Sequence, residues 1–284
     1  MNLVRFLLLA LALANLPLTR AAAAPAPKIA VMSYSFGYHK GTFFDAIDKT
    51  ALTGARFIEI SPGQPLSPTD ATKMDSLSDA QIALFRERLA SRNVSVVSSY
   101  MTIPNDEAQA RAQFVYAKKI GARNITTESY ESVALLEKLA KEFDITVAFH
   151  FHGKQPTKPE YQGWDPNYIF KLVNKRDAHI GVCADTGHWA TAGIVPLEAI
   201  KLLTGRIRAL HLKDRPVIGQ RAPDQVYGTG VVQIAEILRE LERQRFSGPI
   251  IVEYETNPLN NVDEIKQCIE FVKTTLPATR DSVR

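Results

Sequence analysis

Cysteine is nearly absent from this chain: Cys183 and Cys268 are the two it carries in 284 residues. They could pair in an oxidising compartment, but Cys183 lies two residues before Asp185 on the same face of an apolar strand, and Cys268 falls in a late amphipathic stretch. Two buried free thiols are therefore expected, and the lack of a cysteine ligand argues against a structural zinc site. No glycine-rich phosphate loop follows the first strand-like run, where Ser33-Tyr34-Ser35-Phe36-Gly37 stands instead, which speaks against an open dinucleotide-binding sheet. No concentrated basic surface is evident. Lys118-Lys119 and the run Lys171 to Arg176 read as solvated helix faces, so nucleic acid is not expected as a partner. No apolar run is long enough to span a bilayer comfortably, so no stable membrane anchor is expected. An evident serine or cysteine nucleophile, a phosphate-binding cluster and a low-complexity linker are missing as well.

What is present begins with an address. Arg5 supplies a positive flank, Phe6 to Leu18 is apolar, and Ala21 to Ala24 are small residues ahead of Pro25 and Pro27. Residues 1–24 read as a secretory signal peptide, which implies a secreted or periplasmic protein. Removing them takes Arg5 and Arg20 and no acid, so the formal charge falls from +4 to +2. The rest, about 260 residues, fits one barrel-sized domain, expected over residues 25–280.

Short runs rich in β-branched or aromatic residues recur at Ile29 to Tyr34, Phe57 to Ser61, Val94 to Tyr100, Asn124 to Thr127, Thr146 to His152, Ile180 to Asp185, Ile207 to Lys213 and Ile250 to Tyr254. Amphipathic stretches alternate with them: Phe43 to Thr53, Ser78 to Arg92, Asp106 to Ile120, Glu131 to Phe143, Pro166 to Asn174, Pro196 to Leu203, Val231 to Arg245 and Val262 to Thr275. Ser78-Asp79-Ala80-Gln81 resembles a capping box, Gly54, Gly121 and Gly205 stand where helices should stop, and Pro196 suits a first helical turn. Eight strand and helix pairs in regular order predict a (β/α)8 barrel of the α/β class. The long connections Pro62 to Leu77, Gly153 to Asp165 and Asp214 to Gly230 all follow strands, which places them at the catalytic mouth as substrate walls.

Four of the strand-like runs end in metal-capable side chains: His150 and His152, then Asp185 with His188, then His211 with Lys213, then Glu253 with Glu255. Parallel strands of a barrel converge at their C-terminal ends, so these groups can meet around one divalent cation. Residues two apart share a face, so within a pair one member can reach the cation and the other its substrate. Carboxylate mixed with imidazole suits Mn²⁺, Co²⁺, Zn²⁺ or Fe²⁺ better than Ca²⁺. Asp185 at the end of an apolar strand needs a positive partner if buried. Its alternative use as a helix N-cap is weakened by Gly187 and the loop to Pro196. His39 and His179 read as ordinary packing histidines. Glu59 and Glu128, ending the second and fourth strands, are equally plausible as ligands and as polar lining.

These motifs resemble the xylose isomerase-like TIM-barrel superfamily of sugar isomerases and epimerases, which also holds inosose dehydratases and the endonuclease-four nucleases. The matching segments are Asp185-Thr186-Gly187-His188, Leu210-His211-Leu212-Lys213-Asp214, Val252-Glu253-Tyr254-Glu255 and the glycine loop Gly228-Thr229-Gly230. The resemblance implies one metal held by a fifth-strand carboxylate, Asp185, His211 and Glu253. The fifth-strand residue departs from the pattern. Where many relatives carry Glu-Asn-His, this chain reads His150-Phe151-His152-Gly153, similar to a His-Asn-His-Gly variant of exported relatives. His150 is one replacement ligand and Glu128 another.

The site predicts an enzyme that removes a proton alpha to a metal-polarised carbonyl through an enediolate. Glu253 is assigned as ligand with base character, His152 or Glu255 as the second acid or base, and His188, Lys213 and Glu59 as substrate-contacting groups. The leading expectation is an isomerase or epimerase of a non-phosphorylated carbohydrate or polyol. The alternative is a lyase or dehydratase acting on a keto-sugar or 3-keto-glycoside. A silent sugar-binding barrel and a multi-metal nuclease rank lower. The sequence leaves the sugar, the metal and the oligomeric state open.

Overall fold

The computed structural model describes residues 26–37 and 40–276. The expected signal peptide, the last residues of the expected domain and His39 lie outside the described residues. In chain order the strands are β1 (Ile29–Met32), β2 (Phe57–Ile60), β3 (Pro65–Ser67), β4 (Asp70–Lys73), β5 (Ser95–Tyr100), β6 (Asn124–Thr127), β7 (Thr146–Phe149), β8 (Ile180–Asp185), β9 (Ile207–Leu212) and β10 (Ile250–Val252). The helices are α1 (Phe43–Leu52), α2 (Asp79–Arg92), α3 (Glu107–Ile120), α4 (Val133–Phe143), α5 (Pro166–Val173), α6 (Thr186–Ala192), α7 (Pro196–Leu202), α8 (Ile234–Arg243) and α9 (Val262–Thr275).

Eight parallel strands close on one another in the order β1-β10-β9-β8-β7-β6-β5-β2, giving the expected (β/α)8 barrel. β3 and β4 stand apart as an antiparallel hairpin inside the connection from Pro62 to Leu77. Among the described residues no helix is long and apolar enough to cross a membrane.

The strand pleat divides the core in two. Outward residues such as Val31, Ile58, Val147, Val182 and Leu210 pack against the helices in one continuous cluster. A second cluster lines the barrel interior, formed by Ala30, Met32, Val97, Ala148, Cys183, Ala209 and Ile251. Small side chains dominate there because eight strands leave a narrow interior. Two residues further along the strands, on the same face, stand His150, Asp185, His211 and Glu253. The period of two thus carries each strand from apolar interior to ionisable mouth. Both cysteines are buried and unpaired, and burial pushes the Cys183 thiol up to about 11.

Helix ends follow the local sequence. The Ser78 hydroxyl accepts the Gln81 amide while the Gln81 side chain accepts the Ser78 amide, so the expected capping box forms. Thr42 and Asp45 make a second one at the start of α1. Gly121 closes α3 in the left-handed region at φ 87°, which costs a residue without Cβ nothing.

Candidate metal centre

Asp185 closes β8 and does two things at once. Its Oδ1 accepts the His188 amide at 2.7 Å, capping α6. Its Oδ2 lies 3.4 Å from His150 Nε2, 3.6 Å from Lys213 Nζ and 3.9 Å from His211 Nδ1. The cap discounted from sequence is therefore present, because α6 starts directly at Thr186, ahead of the longer helix α7. A carboxylate has two oxygens, and capping occupies one.

β9 supplies His211, whose Nε2 sits 2.6 Å from Glu59 Oε2 and whose Nδ1 sits 2.9 Å from Glu253 Oε2. Glu253, just past β10, holds its other oxygen 3.0 Å from Lys213 Nζ. His150, just past β7, turns Nδ1 to Glu128 Oε1 at 3.0 Å and Nε2 to Asp185. One donor atom from each of His150, Asp185, His211 and Glu253 lies within 4.8 Å of the others, and all four residues are buried. Two of these atoms, His211 Nδ1 and Glu253 Oε2, are buried without a hydrogen-bond partner. They are close to each other, yet the angles are not those of a hydrogen bond. Polar atoms left without a partner in a buried cluster are costly, and a bound cation would take up both. An imidazole and carboxylate donor set of this size could hold a divalent ion of the Mn²⁺, Co²⁺, Zn²⁺ or Fe²⁺ class.

Glu128 stands behind His150 rather than among these four. Its Oε1 takes the Tyr100 hydroxyl at 2.7 Å, His150 Nδ1, and His152 Nδ1 at 2.6 Å. Glu128, His150 and His152 form a second group with donor atoms close enough for an ion. The His150 ring already offers its other nitrogen to Asp185, so a carboxylate holding two imidazoles by N–H bonds accounts for that geometry. His152 is half exposed at the mouth. Its amide donates to the Tyr161 hydroxyl at 2.7 Å, which fixes the loop beyond β7.

Lys213 has no exposed side-chain surface, and its ammonium lies 2.6 Å from Glu255, which lines the mouth. His188 packs beside it, with Nε2 3.7 Å from Asp185 Oδ2. Glu59, expected to contact substrate, lies instead fully buried beneath His211, with both oxygens occupied by protein donors. His179 does pair with neighbours, bonding Asp177 and Asp144 away from this cluster.

The electrostatics follow from crowding. Burial opposes ionisation of Asp185, but Lys213 and His150 outweigh it and hold the carboxyl well below its usual range. Glu253 is lowered likewise: burial is overcome by Lys213 and His211. Burial would drive Lys213 down, but Asp185, Glu253 and Glu255 hold it well above its ordinary value. His211 is raised in the same way, burial being outweighed by the Glu59 and Glu253 carboxylates. His188 goes the other way, pushed by burial down to about 3, so it is a neutral imidazole at neutral pH.

Sequence reasoning missed Tyr100, Ser98, Thr126 and Asp224. Tyr100 and Ser98 are two apart on β5 and face the same interior, a signal the period-two argument could have used. Asp224, in the loop after β9, accepts the Glu255 amide at 2.7 Å and lies 3.1 Å from Arg215. Nothing in its local pattern marks it.

Residues 47–275 match the family model described as xylose isomerase-like TIM barrel. An inosose dehydratase of Bacillus anthracis is 30% identical over 159 residues, 47% of this chain and 49% of that protein. The chain thus spans about half the length of the curated relatives it matches first. Among solved structures, an uncharacterised protein from Parabacteroides distasonis is 30% identical with a TM-score of 0.67, covering 87% of this chain and 98% of that one. D-psicose 3-epimerase from Clostridium cellulolyticum, solved with D-tagatose, shares the fold at 15% identity and a TM-score of 0.67, over 88% of this chain and 99% of that one. The IolI protein, solved with a bound zinc atom, does so at 15% identity and a TM-score of 0.66, over 88% and 99%.

Proposed function

The chain belongs to the xylose isomerase-like TIM-barrel family, and from that premise we propose that it removes a proton alpha to a carbonyl of an unphosphorylated sugar or polyol, with a divalent metal held by His150, Asp185, His211 and Glu253. The observation carrying this is the buried four-donor cluster with its orphaned His211 and Glu253 atoms. The metal would polarise the carbonyl and favour the enediolate left when the adjacent proton departs.

The protein's own groups supply the rest. Glu253, ionised beside Lys213, takes the proton from one side. Lys213 and His188 hold substrate oxygens from the walls. His152, with Nδ1 tied to Glu128, presents its other nitrogen at the mouth, where it gives a proton to a departing oxygen and regains one from solvent. The two sides are unlike, carboxylate against imidazole dyad. That asymmetry suits elimination, in which one group takes a proton and the other protonates a leaving group. The reading is therefore a lyase or dehydratase of a keto-sugar, keto-polyol or 3-keto-glycoside, in keeping with the dehydratases among its relatives.

A second reading, isomerase or epimerase, draws on the burial of all four donors, since a secluded intermediate can recover its proton before solvent does. A metal-supplemented panel of ketoses, keto-polyols and 3-keto-glycosides in deuterated water, followed by proton NMR, separates the two. Release of a beta substituent with a new vinylic signal is the expected result. Deuterium at the alpha carbon without bond loss would favour the second reading. Bound metal with neither change in any substrate would leave a binding protein.

A further inference from the structure

Glu59 is a buried ionised group that the reaction above does not touch. It is the penultimate residue of β2, has no exposed surface, and meets His211 across 152 residues of sequence. Its Oε1 accepts hydroxyl protons from Ser98 and Thr126, each at 2.6 Å, and the Asn124 side-chain Nδ2 donates to the same Ser98 hydroxyl at 2.7 Å. Those contacts pin the carboxylate from β5 and β6. Its Oε2 is left for His211 Nε2 at 2.6 Å.

Stability alone does not account for this arrangement. Burying a carboxylate against an imidazole is costly, and apolar replacements of such pairs are often neutral or stabilising. What the contact does fix is the ring. With Nε2–H donated to Glu59, the nitrogen left to face Asp185 and Glu253 is Nδ1, the atom that stands without a hydrogen bond. We propose that Glu59 is a positioning residue: it sets the tautomer and rotation of His211 so that Nδ1 is presented as a metal ligand, and its negative charge makes that nitrogen a stronger donor. Ser98 and Thr126 hold Glu59 in turn. The proposal rests on the metal-centre reading above.

Cobalt binding to the metal-free protein, followed by calorimetry and by visible absorption, tests it. Glu59→Gln should weaken Co²⁺ binding about 10- to 100-fold and alter the cobalt spectrum, whatever it costs the metal-free protein in thermal stability, since glutamine removes one charge of a buried pair. In a His211→Ala background the same substitution should leave Co²⁺ affinity unchanged. A structural role would lower affinity there too, and that result would overturn the proposal. If Glu59→Gln does not fold, the pair Ser98→Ala and Thr126→Val, which frees the carboxylate, should weaken cobalt several-fold; wild-type affinity in that variant would equally refute the role. Wild-type protein that takes up no cobalt at millimolar concentration would remove the metal reading and this proposal together. Unchanged affinity in a folded Glu59→Gln would remove the proposal alone.

Discussion

Lys213 is the residue on which the charge balance of the mouth turns. A fully buried ammonium among Asp185, Glu253 and Glu255 leaves two buried carboxylates under-compensated when it is removed. Lys213→Met should therefore destabilise the metal-free protein by about 3–5 kcal/mol in urea unfolding, and a saturating divalent metal should recover part of that loss. His188→Ala should raise KM or lower kcat while metal content, read by mass spectrometry, stays near wild type, because its amide caps Asp185 whatever the side chain. Asp224 gives a pH signature. Burial raises its carboxyl from 3.8 to about 6, so the folded protein favours the protonated form. Its stabilising contribution is complete below the unfolded value and is lost as pH rises through about 6. Asp224→Asn should flatten that decline in urea unfolding between pH 4 and pH 7, and an unaltered slope would refute the assignment. At this scale the sequence was readable where strand period applied: the strand ends named His150, Asp185, His211 and Glu253. Ring orientation was not readable. It depends on Glu59 and Glu128, which reach the histidines through space from other strands, and no local pattern reports such a contact.

The eight barrel strands were legible in number and order, less so in extent, while the β3–β4 hairpin and the short helix α6 were additions. β7 was expected to run through His152 but stops at Phe149. Beyond it the chain is held by loop side chains: the Tyr130 hydroxyl donates to the His150 carbonyl, and the His152 amide to Tyr161. Helix α8 begins later than its apolar pattern, at Ile234, because Gln233 sits in the left-handed region at φ 62°. The β3–β4 hairpin went unseen since Pro65–Ser67 and Asp70–Lys73 are short and half exposed, without the alternation that marks a strand. Capping, by contrast, is written locally. Ser78→Ala should cost about 1 kcal/mol by urea unfolding and leave catalytic constants alone, since the Ser78 hydroxyl bonds Gln81 and none of the four clustered donors.

For the whole molecule, a metal held by the four-donor cluster would couple binding to folding. A ligand that binds only the native state at about 100 times its Kd adds roughly 2.7 kcal/mol, so Co²⁺ or Mn²⁺ should raise Tm in scanning calorimetry, and Asp185→Asn should remove most of that rise. Expression with residues 1–24 in a bacterium should yield periplasmic protein whose N-terminus lies at or near Pro25, checked by intact-mass measurement; full-length cytoplasmic protein would count against the export signal. The separation of the barrel interior into an apolar layer of Ala30, Ala148, Cys183, Ala209 and Ile251 and an ionisable layer just above it also bears on versatility. The strand-end side chains stand one pleat beyond the apolar layer, so the chemistry of the rim and the packing of the interior are carried by different residues. His150, at the rim, stands where the family resemblance implies a glutamate. A fold built this way can take on different site chemistry through its rim residues while keeping one scaffold.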